Sequence, residues 1–267
     1  MTALQEFYGF KTQPFNITAD AELFFESRSH QEALASLMYG IEERKGLILV
    51  TGEVGTGKTT LCNALLERLP KTVRTSLILN PYFSDMELLQ AIVEDFGLEA
   101  ENKTRLDIVK KLNAFLIDLS LNQGNAVLII DEAQNLEPRQ LEQVRLLSNL
   151  ETKHGKLLQI VLVGQPELKA SLQRFDLRQI YQRIVIKYEL HPLEFTDVKA
   201  YVDFRIERSG VTGVYIPPEG YRMIHEFSKG IPRLVNLLCD RAFLLGFVRG
   251  EKVLGTDVFV AAMEEIR

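Results

Sequence analysis

The chain has 267 residues and a formal net charge of −5, with 31 Lys and Arg against 36 Asp and Glu. This balance gives no overall attraction to nucleic acid or anionic lipid, so either partner would need a local basic patch. At 46% hydrophobic and 25% charged residues the composition is that of an ordinary soluble globular protein, long enough for one large domain or two modest ones. Cys62 and Cys239 fall in different predicted helices without metal-ligand spacing, which points to a reduced, cytosolic protein. No apolar run approaches the roughly 20 residues that span a bilayer, and no leader-like segment opens the chain, so export and a membrane span are not expected.

Residues 1–46 begin with an aromatic-rich, irregular arm carrying Phe10, Phe15, Phe24 and Phe25. A predicted helix follows from His30 to Arg44, with Leu34, Leu37, Met38 and Ile41 on one face. The apolar segment Leu47 to Thr51 then reads as a buried strand. It leads into Gly52-Glu53-Val54-Gly55-Thr56-Gly57-Lys58-Thr59, and Thr60 to Leu66 reads as a helix. Strand, Gly-x-x-x-x-Gly-Lys-Thr and helix form a phosphate-binding loop in the context that it requires. Glycines let the backbone fold into a nest of inward N–H groups, and the helix start adds partial positive charge where phosphates would sit. Lys58 is expected to reach the β- and γ-phosphates of ATP, and the Thr59 hydroxyl to ligate Mg²⁺.

Thr75 to Leu79 is the next strand candidate, closed by Asn80. Ala126 to Ile130 is apolar at every position, as suits a parallel strand covered on both faces, and it ends in Asp131-Glu132. Asp131 would orient Mg²⁺ through water, and Glu132 would polarise the attacking water. Phosphoryl transfer needs mainly positioning and charge neutralisation, so a carboxylate of this kind is sufficient. Leu157 to Gly164 is a further buried strand, with Gln165 just beyond it in reach of a γ-phosphate or the water. Ile184 to Leu190 is the fifth strand candidate. Five strands alternating with helices predict an α/β fold, a parallel sheet with helices on both faces.

After His191-Pro192-Leu193 the pattern is wholly helical. Helices are predicted over Thr196 to Arg208, Pro218 to Ser228, Pro232 to Arg249 and Thr256 to Ile266. Thr196 or Asp197, and Thr256, are candidate N-caps. Arg233 opens the third of these helices in Gly230-Ile231-Pro232-Arg233. The helix dipole disfavours a cation there unless an anion lies nearby. The expected organisation is a nucleotide-binding core over 1–190, including the N-terminal arm, and a small helical lid over 191–267.

Taken in order, the phosphate loop, Asp131-Glu132, Gln165 and Gly-x-Pro-Arg resemble an AAA+ ATPase. The N-terminal block is more specific: Phe7-Tyr8-Gly9-Phe10, Gln13-Pro14-Phe15, Phe24-Phe25-Glu26-Ser27 and His30-Gln31-Glu32-Ala33-Leu34 resemble the ExeA/GspA family. Members serve the general secretion pathway, with relatives in MSHA-type pilus biogenesis and exosortase systems. The resemblance implies a strand order 5-1-4-3-2, ATP or ADP as ligand, and an active homo-oligomer. It also implies protein partners in a type II secretion or type IV-like pilus system, and a cytoplasmic location reaching the inner face of the inner membrane through a partner or a further segment. By the same resemblance Arg233 is the sensor-2 arginine and Gln165 stands at the sensor-1 position, where Asn or Thr is commoner. The arginine finger that acts on a neighbouring subunit is Arg183, favoured, or Arg178. Asn80 is either the residue that restrains the catalytic glutamate or a turn residue before Pro81. Ile17 and Phe15 either close an adenine pocket, or the arm's aromatics only clamp it to the core. The alternative function is a DNA-associated regulator of the TnsC/TniB transposition type. The acidic balance disfavours that reading.

Overall fold

A computed structural model of the protein describes residues 3–16, 24–101, 103–153 and 155–266, which fall into two compact units. One unit comprises residues 30–52 and 61–190. The other comprises the residues up to Ser29, the loop Glu53–Thr60, and the chain from His191 onward.

The first unit is built on five parallel strands, β1 (Leu47–Gly52), β2 (Val73–Ile78), β3 (Asn125–Ile130), β6 (Leu158–Gly164) and β7 (Ile184–Leu190). Their spatial order is β2-β3-β6-β1-β7, the order that the resemblance implied. β4 (Glu151–Thr152) and β5 (Gly155–Lys156) form a separate antiparallel ribbon. Strands at the centre are covered on both faces, so β1 and β6 are buried at every residue and β3 at all but its first. The edge strands alternate instead, and in β7 only Ile184 and Leu190 are buried. Gln159 is the one polar residue within β6, and it is fully buried. Its amide is satisfied: Oε1 accepts from Gly46 N–H at 2.8 Å, and Nε2 donates to Lys156 O at 3.1 Å and Asn125 Oδ1 at 3.3 Å.

Helices follow the strands in alternation: α2 (Arg28–Glu42), α3 (Lys58–Arg68), α4 (Asp85–Asp95), α5 (Arg105–Leu121), α6 (Pro138–Leu147), α7 (Pro166–Leu172) and α8 (Arg178–Arg183). Ser84 with Glu87, and Thr104 with Asp107, close reciprocal capping boxes at the starts of α4 and α5. One apolar cluster gathers Leu88, Leu89 and Ile92 of α4 with Ile108 and Leu112 of α5. Leu128 of β3 and Ile160 and Leu162 of β6 belong to the same cluster.

The second unit holds α1 (Ala3–Tyr8), α9 (Phe195–Arg208), α10 (Pro218–Ser228), α11 (Pro232–Arg249) and α12 (Thr256–Ile266). The N-cap of α9 is Glu194, earlier than a Thr196 or Asp197 cap allows. The described part of the N-terminal arm belongs to this unit. Tyr8, Phe10 and Phe15 are buried with Val198, Val202, Leu238 and Phe259. Phe15 packs on Phe243 with ring centres 5.3 Å apart, and the Tyr8 hydroxyl donates to Phe243 O at 2.8 Å. Arg205, buried on α9, donates to Pro14 O at 2.5 Å, Asn16 O at 3.0 Å and the Tyr201 hydroxyl at 3.0 Å. An arm so short cannot bury its aromatic rings by itself, and α9 and α11 supply the apolar surface that does so. The sequence pattern groups the arm with residues up to 190; in the structure it shares its core with the C-terminal helices. Ile17 lies outside the described residues.

Candidate active site

Three chain segments leave the sheet of the first unit at one edge. Thr51 of β1 pairs with Gly164 of β6, and Leu162 of β6 pairs with Ile130 of β3. β1 therefore ends beside the end of β6, which Gln165 follows, and Asp131-Glu132 follows the next strand over. Neighbouring strands lie about 4.8 Å apart, so two strands set roughly 10 Å between the points where these segments leave the sheet. In open α/β sheets this carboxyl edge is where ligands bind.

At the end of β3, Asp131 is buried and its N–H donates to Ile78 O at 2.8 Å. Asp131 Oδ1 accepts from the Glu132 N–H at 2.9 Å. Glu132 has φ 51° and ψ 36°, a left-handed conformation that costs a non-glycine residue about 1 kcal/mol. This bend starts the short 3₁₀ turn Ala133–Asn135. The Glu132 carboxylate accepts hydrogen bonds at Oε2 from the side-chain amides of Gln134 and, at 3.4 Å, Gln165. Glu132 and Gln165, singled out separately in the sequence, thus meet in the fold. Asn80 is exposed, and among the described residues the side-chain donors to Glu132 are Gln134 and Gln165.

The phosphate loop itself lies in the second unit. Gly55 has φ +83° and Gly57 φ +97°, values that glycine adopts freely and other residues rarely do. A methyl at Gly55 would come 2.6 Å from Arg233 Cβ and 3.1 Å from Ile231 Cγ2. The loop tip therefore meets the start of α11 closely, and Arg233 N–H donates to Gly55 O at 3.2 Å. Lys58 is buried at the first position of α3, and its Nζ donates to Glu53 O at 2.9 Å. Thr56 Oγ1 donates to the same carbonyl at 2.9 Å. Gly52 is buried at the end of β1, Glu53 and Val54 are exposed, and Thr59 and Thr60 are half-buried in the first turn of α3. The Arg233 side chain is exposed.

A family model described as an AAA domain matches residues 41–172. The chain is 43% identical over 261 residues, 97% of its length, to general secretion pathway protein A of Aeromonas hydrophila. The chain is thus similar along nearly its whole length to an AAA protein of the ExeA/GspA type. It spans 48% of that relative's length. Solved structures share the fold at lower identity. The Aeropyrum pernix ORC2 protein in ADPNP-ADP complexes has TM-score 0.71 at 19% identity, over 96% of this chain and 72% of that one. Drosophila ORC bound to DNA has TM-score 0.73 at 18% identity, over 100% and 66%. A point mutant of Thermotoga maritima RuvB has TM-score 0.58 at 20% identity, over 88% and 69%.

The two finger candidates sit at opposite ends of α8, both exposed. Arg178 lies over the Phe175 ring, 4.8 Å from its centre, and Arg183 donates to Asn149 Oδ1. Neither hydrogen-bonds Glu132 among the described residues. The Arg145 hydrogen bond lowers the pKa of Glu142, and the charge of Arg183 adds a smaller push in the same direction. Sequence reasoning missed Gln134. Its only signal was a second amide side chain two residues after Glu132, which becomes informative only once the 3₁₀ turn folds it back.

Proposed function

We propose that this AAA module binds ATP with Mg²⁺ and hydrolyses it, with Glu132 as the general base for water. The observation that carries this reading is the hydrogen bond of Gln165 at the end of β6 to the Glu132 carboxylate at the end of β3, on the edge where β1 enters the phosphate loop. A γ-phosphate sensor and a base in contact can couple the state of the nucleotide to the positioning of water. The Gly52–Thr59 loop supplies the cradle, with Thr60 beside it in the first turn of α3. Lys58 would exchange its bond to Glu53 O for phosphate oxygens. Arg233 would bring positive charge to the γ-phosphate from the start of α11.

The Thr59 hydroxyl and Asp131 carboxylate are oxygen donors suited to a hard cation, with Asp131 acting through water. Among the described residues no group of three or more His, Cys, Asp or Glu could hold a metal. Mg²⁺ here would therefore complete its shell with water and phosphate oxygens, as it commonly does. When bound, it supplies charge neutralisation at those oxygens. Replacing Lys58 by alanine is expected to lower nucleotide affinity and to cut turnover roughly 100-fold or more, the scale for losing one charge-stabilising donor. Equilibrium binding of a fluorescent ATP analogue and steady-state turnover check this; wild-type values for both would remove Lys58 from the site.

The surface position of Arg183 and Arg178 suits an arginine that completes a neighbouring subunit's site. The active form is then a homo-oligomer. Such an arginine is worth roughly 10³–10⁵ in rate in related systems, so turnover per subunit should rise steeply with protein concentration. Arg183→Ala should keep ATP binding and lose that rise. A flat, high rate down to nanomolar protein would refute trans-activation, and a normal rise in the variant would move the role to Arg178.

The general secretion pathway relative supports a role in assembling a cell-envelope machine, of type II secretion or a type IV-like pilus. Hydrolysis would serve there as a timer or source of force on protein partners. No helix among the described residues is long and apolar enough to cross a membrane. Work at the inner face of the inner membrane would then run through a partner or a further segment.

A further inference from the structure

The geometry points to Gln134 as a positioning residue that locks the Glu132 carboxylate to the sensor segment. Both ends of its amide are engaged. Nε2 donates to Glu132 Oε2, and Oε1 accepts the backbone N–H of Gln165 at 3.0 Å. Gln165 is the N-cap residue of α7, and Pro166 after it has no N–H. Gln134 thereby ties the start of α7 to the carboxylate with one rigid planar group. The direct Gln165 side-chain contact, at 3.4 Å, is the looser of the two links.

The two amides also divide the carboxylate. Both donate to Oε2, and among the described residues neither donates to Oε1. The oxygen that remains to accept a proton from water is Oε1, and its direction is fixed by the grip on its partner oxygen. The Glu132 backbone is itself held in a strained left-handed conformation at the start of the 3₁₀ turn that carries Gln134. A shift of β6 and α7 on nucleotide exchange would reach Oε1 through Gln134.

This assignment rests on Glu132 being the general base, and the experiment separates the two ideas. Gln134→Leu keeps similar bulk and removes both hydrogen bonds. Gln134→Glu keeps the shape and the acceptor toward Gln165, and replaces the donor by a like charge facing Glu132. Both variants and Glu132→Gln are assayed for ATP affinity and for single-turnover hydrolysis. Hydrolysis is expected to fall about 10-fold to 100-fold in the Gln134 variants, the scale of a misplacement near 1 Å, with ATP affinity unchanged. In the Glu132→Gln background, Gln134→Leu should cost nothing more, since there is no carboxylate left to aim.

Wild-type hydrolysis in both Gln134 variants, with Glu132→Gln inactive, overturns the role of Gln134 and leaves the base in place. Loss of ATP affinity or of folding in both variants, or a full additional loss in the double variant, makes Gln134 structural and overturns it equally. Normal hydrolysis by Glu132→Gln removes the base reading itself.

Discussion

Glu132→Gln is expected to slow turnover severely while leaving ATP bound. The substitution keeps the length and planarity of the side chain but cannot accept a proton from water. General-base assistance is worth roughly 10²–10⁴ in rate, and that is the loss expected in the chemical step. The phosphate loop and Arg233 are untouched, so ATP affinity should stay within about two-fold of wild type. The new amide would face the amides of Gln134 and Gln165 at the Oε2 position, where two donors now converge. The variant side chain should therefore turn its carbonyl to that place and direct its own NH₂ outward. Rapid-quench measurement of the hydrolysis step beside an equilibrium binding curve checks the expectation. Hydrolysis at the wild-type rate would disprove the base; joint loss of binding and hydrolysis would make Glu132 part of the binding framework instead.

Gly230→Ala is expected to destabilise the second unit by about 3 kcal/mol or more, through a backbone clash added to strain. Gly230 has φ +77°, where an L-residue loses about 1–2 kcal/mol. A methyl there would stand 2.0 Å from Leu193 O and 3.0 Å from Leu193 N. That peptide cannot retreat cheaply, because Leu193 N–H donates to Gly230 O at 2.8 Å and the Leu193 side chain is buried in the unit's core. Gly250→Ala is the control. Gly250 has φ +70°, with nothing within 4 Å of the added methyl, so only the strain is paid. Thermal unfolding should show Tm lower by roughly 6–12 °C for Gly230→Ala and by a few degrees for Gly250→Ala. Equal shifts would mean that the Leu193 contact carries no weight. Three residues beyond Gly230, Arg233 N–H donates to Gly55 O. Nucleotide affinity should accordingly weaken in Gly230→Ala and not in the control.

Much of the sheet is legible in the sequence because central parallel strands must be apolar on both faces. Leu47 to Val50, Ala126 to Ile130 and Leu158 to Val163 are such runs, interrupted only by Gln159, and each is buried. For the edge strand β2 the pattern starts two residues late, over Thr75 to Leu79, where the structure has Val73–Ile78. Its burial is partial, so the hydropathy pattern fixes its ends poorly. The N-terminal arm misleads for a related reason. Phe10 and Phe15 announce burial but carry no period that says against what, and their partners Val202, Leu238 and Phe243 lie about two hundred residues away.

The sequence by itself determined the local chemistry: a glycine cradle followed by Lys58 and Thr59, and an acid pair at the end of an apolar run. These signals are contained in short contiguous segments whose backbone needs are set by residue type. Only the tertiary structure decided which side chains meet: Gln165 and Gln134 on Glu132, Arg233 N–H on Gly55, the arm on α9 and α11. Those contacts depend on strand order, register and the left-handed turn at Glu132, and a linear pattern carries no record of such long-range geometry.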